Sequence, residues 1–160
     1  MAPDAALYAQ EAQGVGLIVC LTRYPAKGKA GEALQEMALR EGAGIVGDAH
    51  QGGARQISLL AADVRRWIDA QIEGGLCFHR FRENVLIEGL PMDMLESDSL
   101  LSAGTAHMRI NKIQKACFDD CSRFTQGLPC RLAGSVAYAT VEQGGMIRVG
   151  DSVELRTHHG

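Results

Sequence analysis

At 160 residues, with 46% hydrophobic and 22% charged side chains, the chain has the length of one domain around one core and a composition that excludes disorder and collagen-like repetition. A formal charge of -3 builds no positive field for a nucleic-acid partner. The longest apolar run, VGLIVCL at 15–21, falls short of the roughly 20 residues a membrane helix needs, and the acidic start MAPDAALYAQEAQ is a poor signal-peptide opening, so the expectation is a cytoplasmic protein with no membrane partner.

In chain order, residues 1–14 read as an N-terminal extension and 15–157 as a single domain. VGLIVCL has the length and branching of a buried strand, and TRYPAKGKAG after it reads as a loop. From Glu32 the spacing of Leu34, Met37 and Ala38, with Glu36 four residues before Arg40, predicts a short helix stopped by Gly42 and Gly44. GIVGDAHQGGARQISLL (44–60) predicts a glycine-rich loop feeding a strand from Gln56 to Leu60. Ala61, Val64, Ile68 and Ile72 predict a second helix, with Asp63 in its first turn and Gly74-Gly75 at its end.

FRENVLIEGLP (81–91) and AHMRIN (106–111) predict strands. Ile113, Cys117, Cys121 and Phe124 share the face of a third helix ended by Gly127 and Pro129. SVAYATVEQGGMIRVGDSVEL (135–155) predicts three short strands punctuated by Gly144-Gly145 and Gly150-Asp151. Strands between glycine-rich turns, with nineteen glycines against four Phe, three Tyr and one Trp, point to a mainly β fold: a β-barrel with two or three short helices.

KACFDDCSRFTQGLPC (115–130) holds three of the five cysteines. An odd count in a reducing compartment argues against a disulfide framework. Cys117 and Cys121, with Cys130 and His107 or His79, could form a zinc cage, although the usual C-x2-C turn is absent. The plainer reading is that Cys117 and Cys121 are small apolar side chains facing the core beneath this helix. Lys112, Lys115 and Arg123 are cations able to lower a thiol pKa and make a nucleophile, and Asp119 and Asp120 oppose them. In GDAHQGG, Asp48 and His50 supply a carboxylate and an imidazole beside glycines that let a ligand approach the backbone, or simply a turn with its hydrogen bonds. In RFREN, Arg82 suits forked recognition of phosphate, or a surface ion pair with Glu83 or a neighbour.

In order, these segments resemble the MOSC family, named for the C-terminal domain of molybdenum cofactor sulfurases, and in particular its small stand-alone branch. The family pattern G-x-G-D-x-H-x-G followed by a strand reads here GIVGDAHQGGARQISLL. F-x-x-N-[IV]-x-[IV]-x-G-[LI] reads FRENVLIEGLP. A leader to a reactive cysteine reads KACFDDC, and the ending G-G-x-I-x-V-G-D reads GGMIRVGDSVEL. The resemblance runs from about Val15 to Leu155.

It implies a β-barrel and a reactive cysteine at Cys117, acting as the ligand of molybdenum or as a persulfide carrier with Cys121 or Cys130 as resolving thiol. It implies that Asp48, His50, Arg55, Ser58, Arg82, Asn84 and Lys115 bind a molybdenum cofactor, with Arg82 on its phosphate and Asn84 on the polar edge of its ring. The activity implied is sulfur transfer or molybdenum-cofactor-dependent reduction. The rivals are a non-catalytic cofactor carrier and a structural domain whose cysteines bind zinc or pack. No pyridoxal phosphate motif is present, so a separate cysteine desulfurase-type donor is expected, with a molybdenum enzyme or cofactor-assembly protein as acceptor. The chain departs from the family in three places: Phe118 follows the first cysteine in place of His, Arg131-Leu132-Ala133 replaces Pro-Arg-Glu, and Ser97 stands where a turn glycine is expected.

Overall fold

The computed structural model describes residues 14–53, 55–71, 82–113, 126, 131–132 and 135–156. Seven strands close into a barrel. β1 (Gly14–Arg23) pairs with β6 (Val85–Glu88), which lies beside β5 (Ile57–Ala61). The order continues through β9 (Val136–Gln143), β8 (Ala106–Ile113), β7 (Leu100–Ala103) and β11 (Ser152–Arg156), and β11 returns to β1. The seam is made by Gly14–Leu17 of β1 against Ser152–Leu155, while the other half of that edge, Leu21 to Arg23, pairs with β2 (Glu32–Leu34). A bulge at Ile18/Cys20 lets β1 serve these neighbours as it bends. A smaller sheet of β10 (Gly145–Arg148), β3 (Glu36–Arg40) and β4 (Gly44–Ile45) completes the strand set.

The barrel interior is filled. Ile18, Leu21, Ile57, Leu59, Ile87, Leu101, Ile110 and Leu155 belong to one apolar cluster, and Met37, Leu39, Ile45 and Ile147 add the small sheet's side chains to it. Along β5 the side chains alternate between two cores. Ile57 and Leu59 face the barrel interior, while Leu60 packs outside with Val64, Ile68, Leu132 and Val136. That is why β5 reads as an unbroken apolar run.

β5 and β6 are parallel, so the chain must cross over between them. It does so through α1 (Ala62–Asp69), which buries Ala62, Val64 and Ile68 and is tied down by ion pairs from Arg66 to Glu88 at 3.0 Å and from Asp63 to Arg131 at 2.7 Å. The predicted second helix is therefore present, ending at Asp69; its expected Ile72 and Gly74-Gly75 terminus lies outside the described residues.

The helix predicted from Glu32 is replaced by β2 and β3. Met37 and Leu39 alternate inward, and every residue from Glu36 to Leu39 faces a partner in β10. The expected Glu36–Arg40 contact gives way to Glu36 with Arg148 across that ladder, at 2.8 Å. Helix propensity in EALQEMALR is worth only tenths of a kcal/mol per residue, and the unpaired edges of β1 and β10 outweigh it. β7, a segment not assigned from the sequence, is a strand closed by Gly104-Thr105. Ile113 is the last residue of β8, so a third helix does not begin there; its remaining positions, 114–125, lie outside the described residues. Among the described residues there is one α-helix and a single 3-10 turn, Met92–Met94. Among the described residues no helix is long and apolar enough to cross a membrane.

The departure at Ser97 costs the turn nothing. The left-handed residue there is Asp98, at φ 72°, and aspartate is one of the few side chains that tolerate that conformation. Ser99 then closes the turn, its Oγ accepting the Glu96 N–H at 2.9 Å.

Candidate functional site

Polar side chains gather where β5 and β6 begin, on the outer face of the barrel wall. Successive strand residues point to opposite faces, so Ser58 and Asn84 sit across the wall from Ile57, Leu59 and Val85. Asn84 is 4% exposed, and its amide joins three elements. Its Oδ1 accepts from the Ser58 N–H at 2.9 Å and lies 3.0 Å from Ser58 Oγ. Its Nδ2 donates to the Thr22 carbonyl at 3.1 Å and to Asp48 Oδ1 at 3.3 Å. Ser58 Oγ also accepts the Asn84 N–H and lies 3.0 Å from the Arg82 carbonyl. A ring-edge contact from Asn84 to a cofactor would therefore replace one of these bonds. The amide and Ser58 hold the start of β6, and with it the Arg82 backbone, in place.

Asp48 is the second fixed point. Its carboxylate is fully buried and accepts the Tyr24 N–H at 2.8 Å and the His50 N–H at 2.9 Å. The second bond closes an Asx turn, the bland alternative for a D-x-H loop. The imidazole does more than the turn requires: His50 Nδ1 lies 3.4 Å from Asp48 Oδ2 while its side chain is 54% exposed. Upstream, Gly47 holds φ 85°, and a Cβ there would press on the Arg23 guanidinium at 3.0–3.4 Å. Arg23 pairs with Glu32 at 2.7 Å, and its Nε is buried without a hydrogen-bond partner among the described residues.

Arg82 reaches out from this frame. Its guanidinium lies over the Tyr24 ring, 5.8 Å from the centroid, and donates to the Lys29 carbonyl. The ion pair anticipated between Arg82 and Glu83 is instead made by Arg65, whose Nε donates to Glu83 Oε1 at 3.0 Å. Tyr24 Oη donates to the Glu83 carbonyl at 3.1 Å. Burial, and then the Glu83 carboxylate, push the Tyr24 hydroxyl above its ordinary pKa, against the opposite pull of Arg82 and Arg65. It stays a neutral donor. Arg55, at the entry to β5, lies over the Tyr138 ring at 4.9 Å.

The structure thus brings Asp48, His50, Ser58, Arg82 and Asn84 into one hydrogen-bonded rim through Tyr24, with Arg55 at the neighbouring strand entry. Cys117, Cys121, Cys130, Lys115 and His79 lie outside the described residues. His107 is placed near the start of β8, about 20 Å by strand length from where the chain leaves at Ile113. Its Nδ1 sits 3.1 Å from Ser102 Oγ. Among the described residues no group of three or more His, Cys, Asp or Glu side chains could hold a metal.

Sequence reasoning missed Tyr24 and Gln56. Tyr24 directly follows β1 in TRYP, where an aromatic at a strand exit was the available signal. Gln56 is buried and ties the glycine loop to β9, its Nε2 donating to the Gly53 carbonyl at 3.0 Å and its Oε1 accepting the Val141 N–H at 3.0 Å. Nothing in its sequence context marks it out.

The rim's donor chemistry fits an oxyanion. Arg82 spends one N–H group on Lys29 and stays exposed, its fork suited to phosphate oxygens. The exposed Arg55 stands at the neighbouring strand entry. That is a fit to the phosphate end of a pterin cofactor. Among the described residues no group of three or more His, Cys, Asp or Glu side chains stands ready for its metal end.

Residues 46–154 match the family model described as MOSC domain. Among solved structures, the YuaD protein from Bacillus subtilis aligns with a TM-score of 0.64 at 17% identity, covering 91% of this chain and 97% of that one. YiiM from Escherichia coli aligns at 0.57 with 16% identity, covering 90% and 71%. YiiM from Geobacillus stearothermophilus aligns at 0.52 with 20% identity, covering 88% and 72%. These likenesses are of fold. No curated protein matches the chain.

Proposed function

The chain belongs to the MOSC domain family, and from that premise we propose that it binds a molybdenum cofactor at the rim of its barrel or carries sulfur there as a cysteine persulfide. The observation that carries this reading is the exposed Arg82 guanidinium set over Tyr24, backed by the buried Asn84–Ser58–Asp48 network. Arg82 would hold the cofactor's phosphate, with Arg55 and Lys115 as further cations. Cys117 would be the thiolate ligand, since soft sulfur suits a molybdenum centre. A bound molybdenum centre would supply the redox chemistry of a reductase.

In the sulfur-carrying form of the proposal, the Cys117 thiolate attacks the outer sulfur of a donor persulfide, the donor leaves as thiolate, and the outer sulfur passes on by the same exchange. Cys121 or Cys130 would be the resolving thiol. The donor would be a separate cysteine desulfurase-type protein, and the acceptor a molybdenum enzyme or cofactor-assembly protein in the same reducing cytoplasm.

The test is elemental analysis for molybdenum with a labile-sulfur assay on anaerobically purified protein. Wild type and Cys20→Ser should hold one or the other. Cys117→Ser should lose it, and Arg82→Ala should lower molybdenum content about tenfold or more, the loss of a charge-assisted pair worth about 1.5–3 kcal/mol. Retention of molybdenum or labile sulfur by Cys117→Ser would remove that residue from its role.

A further inference from the structure

We propose that Asp48 and His50 form a proton-transfer pair, in which the buried carboxylate holds the imidazole with its proton on Nδ1 and leaves Nε2 as a base at the rim. This deepens the function proposed above and rests on the rim being where a ligand binds.

The argument starts from Asp48. Its carboxylate is pinned by the Tyr24 N–H and by Asn84 Nδ2 on one oxygen and by the His50 N–H on the other, so it cannot turn away from the ring beside it. An ionised carboxylate only accepts hydrogen bonds. Facing His50 Nδ1 at 3.4 Å, it selects the tautomer that carries the proton there, because the partner of one ring nitrogen sets the state of the other. The distance is that of an ion pair rather than of a closed hydrogen bond, and such contacts tighten when a ligand fills the site.

The two ring nitrogens flank Cε1, and their outward axes diverge. With Nδ1 against a carboxylate of no exposure and the side chain as a whole 54% exposed, Nε2 points outward. The Asx turn needs only the main-chain N–H of residue 50, so the turn does not account for an imidazole. In the transfer, the Nε2 lone pair takes a proton from a ligand thiol, hydroxyl or amine, the ligand keeps the electron pair, and the imidazolium is balanced by Asp48. The proton returns to the product or to water. Asp48 acts through His50 and is the positioning residue.

Nitrogen NMR of the histidine rings at alkaline pH reads the tautomer without any ligand. Wild type should show His50 protonated on Nδ1, and Asp48→Asn should shift it to the Nε2–H form that a free imidazole prefers. Finding Nε2–H in the wild type would overturn the pair. His50→Gln keeps every bond that Asp48 makes to the backbone, so the fold is retained. In protein loaded with molybdenum or sulfur, it should slow reduction or sulfur transfer about 100-fold per loaded molecule. An unchanged rate per loaded molecule would also overturn it. If wild type holds neither molybdenum nor labile sulfur, the functional reading falls while the tautomer still decides the pair.

Discussion

Asn84 has two lone pairs and two amide protons, and the protein uses them all between Ser58, Thr22 and Asp48. Asn84→Ala leaves the Ser58 N–H and the Thr22 carbonyl without this partner in a buried place, a loss of about 3 kcal/mol. Urea unfolding should show it as a lower midpoint at unchanged slope. His107 gives a pH dependence. Burial, and then the positive Arg156, lower its pKa from 6.5, so the folded chain binds this proton less readily than the unfolded one. The sign follows: His107 leaves stability untouched well above 6.5, lowers it as pH falls through 6.5 toward the depressed value, and adds no further loss below that. His107→Gln should flatten this part of the profile, which urea midpoints at about pH 7.5 and about pH 5.5 would reveal. Asp48, His50 and Arg82 were legible because turn glycines and a strand start frame them. The cross-links through Tyr24 and Gln56 were not, since each joins segments far apart in the chain.

Among the elements, the β7–β8 hairpin depends on Gly104. It sits at φ 54°, and a Cβ there would collide with the Met146 carbonyl oxygen of β10. Gly104→Ala therefore combines a disfavoured backbone with a clash against main chain that the β10 ladder holds, and should cost about 2 kcal/mol or more. Thermal melting would check it. Strands β9, β10 and β11 were readable because Gly144-Gly145 and Gly150-Asp151 separate them. The segment from Glu32 to Arg40 was misread because its local preference is helical, and the partner that makes β3 a strand, β10, is distant in sequence, while β2 returns along β1 across the preceding loop.

For the whole molecule, closure rests on β11, which pairs β1 on one edge and β7 on the other. A chain ending before Ser152 should lose Val153 and Leu155 from the core and open both neighbouring edges. The expected result is loss of cooperative unfolding by circular dichroism, since open edges invite aggregation. Taken alone, the sequence determined the class of fold, through apolar runs spaced by glycine turns, and the family, through the ordered G-D-x-H, F-R-x-N and cysteine motifs. Those signals are local or lie in chain order. Only the tertiary structure decided which strands close the barrel, that the interior is filled so the polar residues meet on its outer rim, and that Asn84 and Asp48 are held by the protein itself. Register, burial and hydrogen-bond partners are set by segments that meet only when the sheet closes.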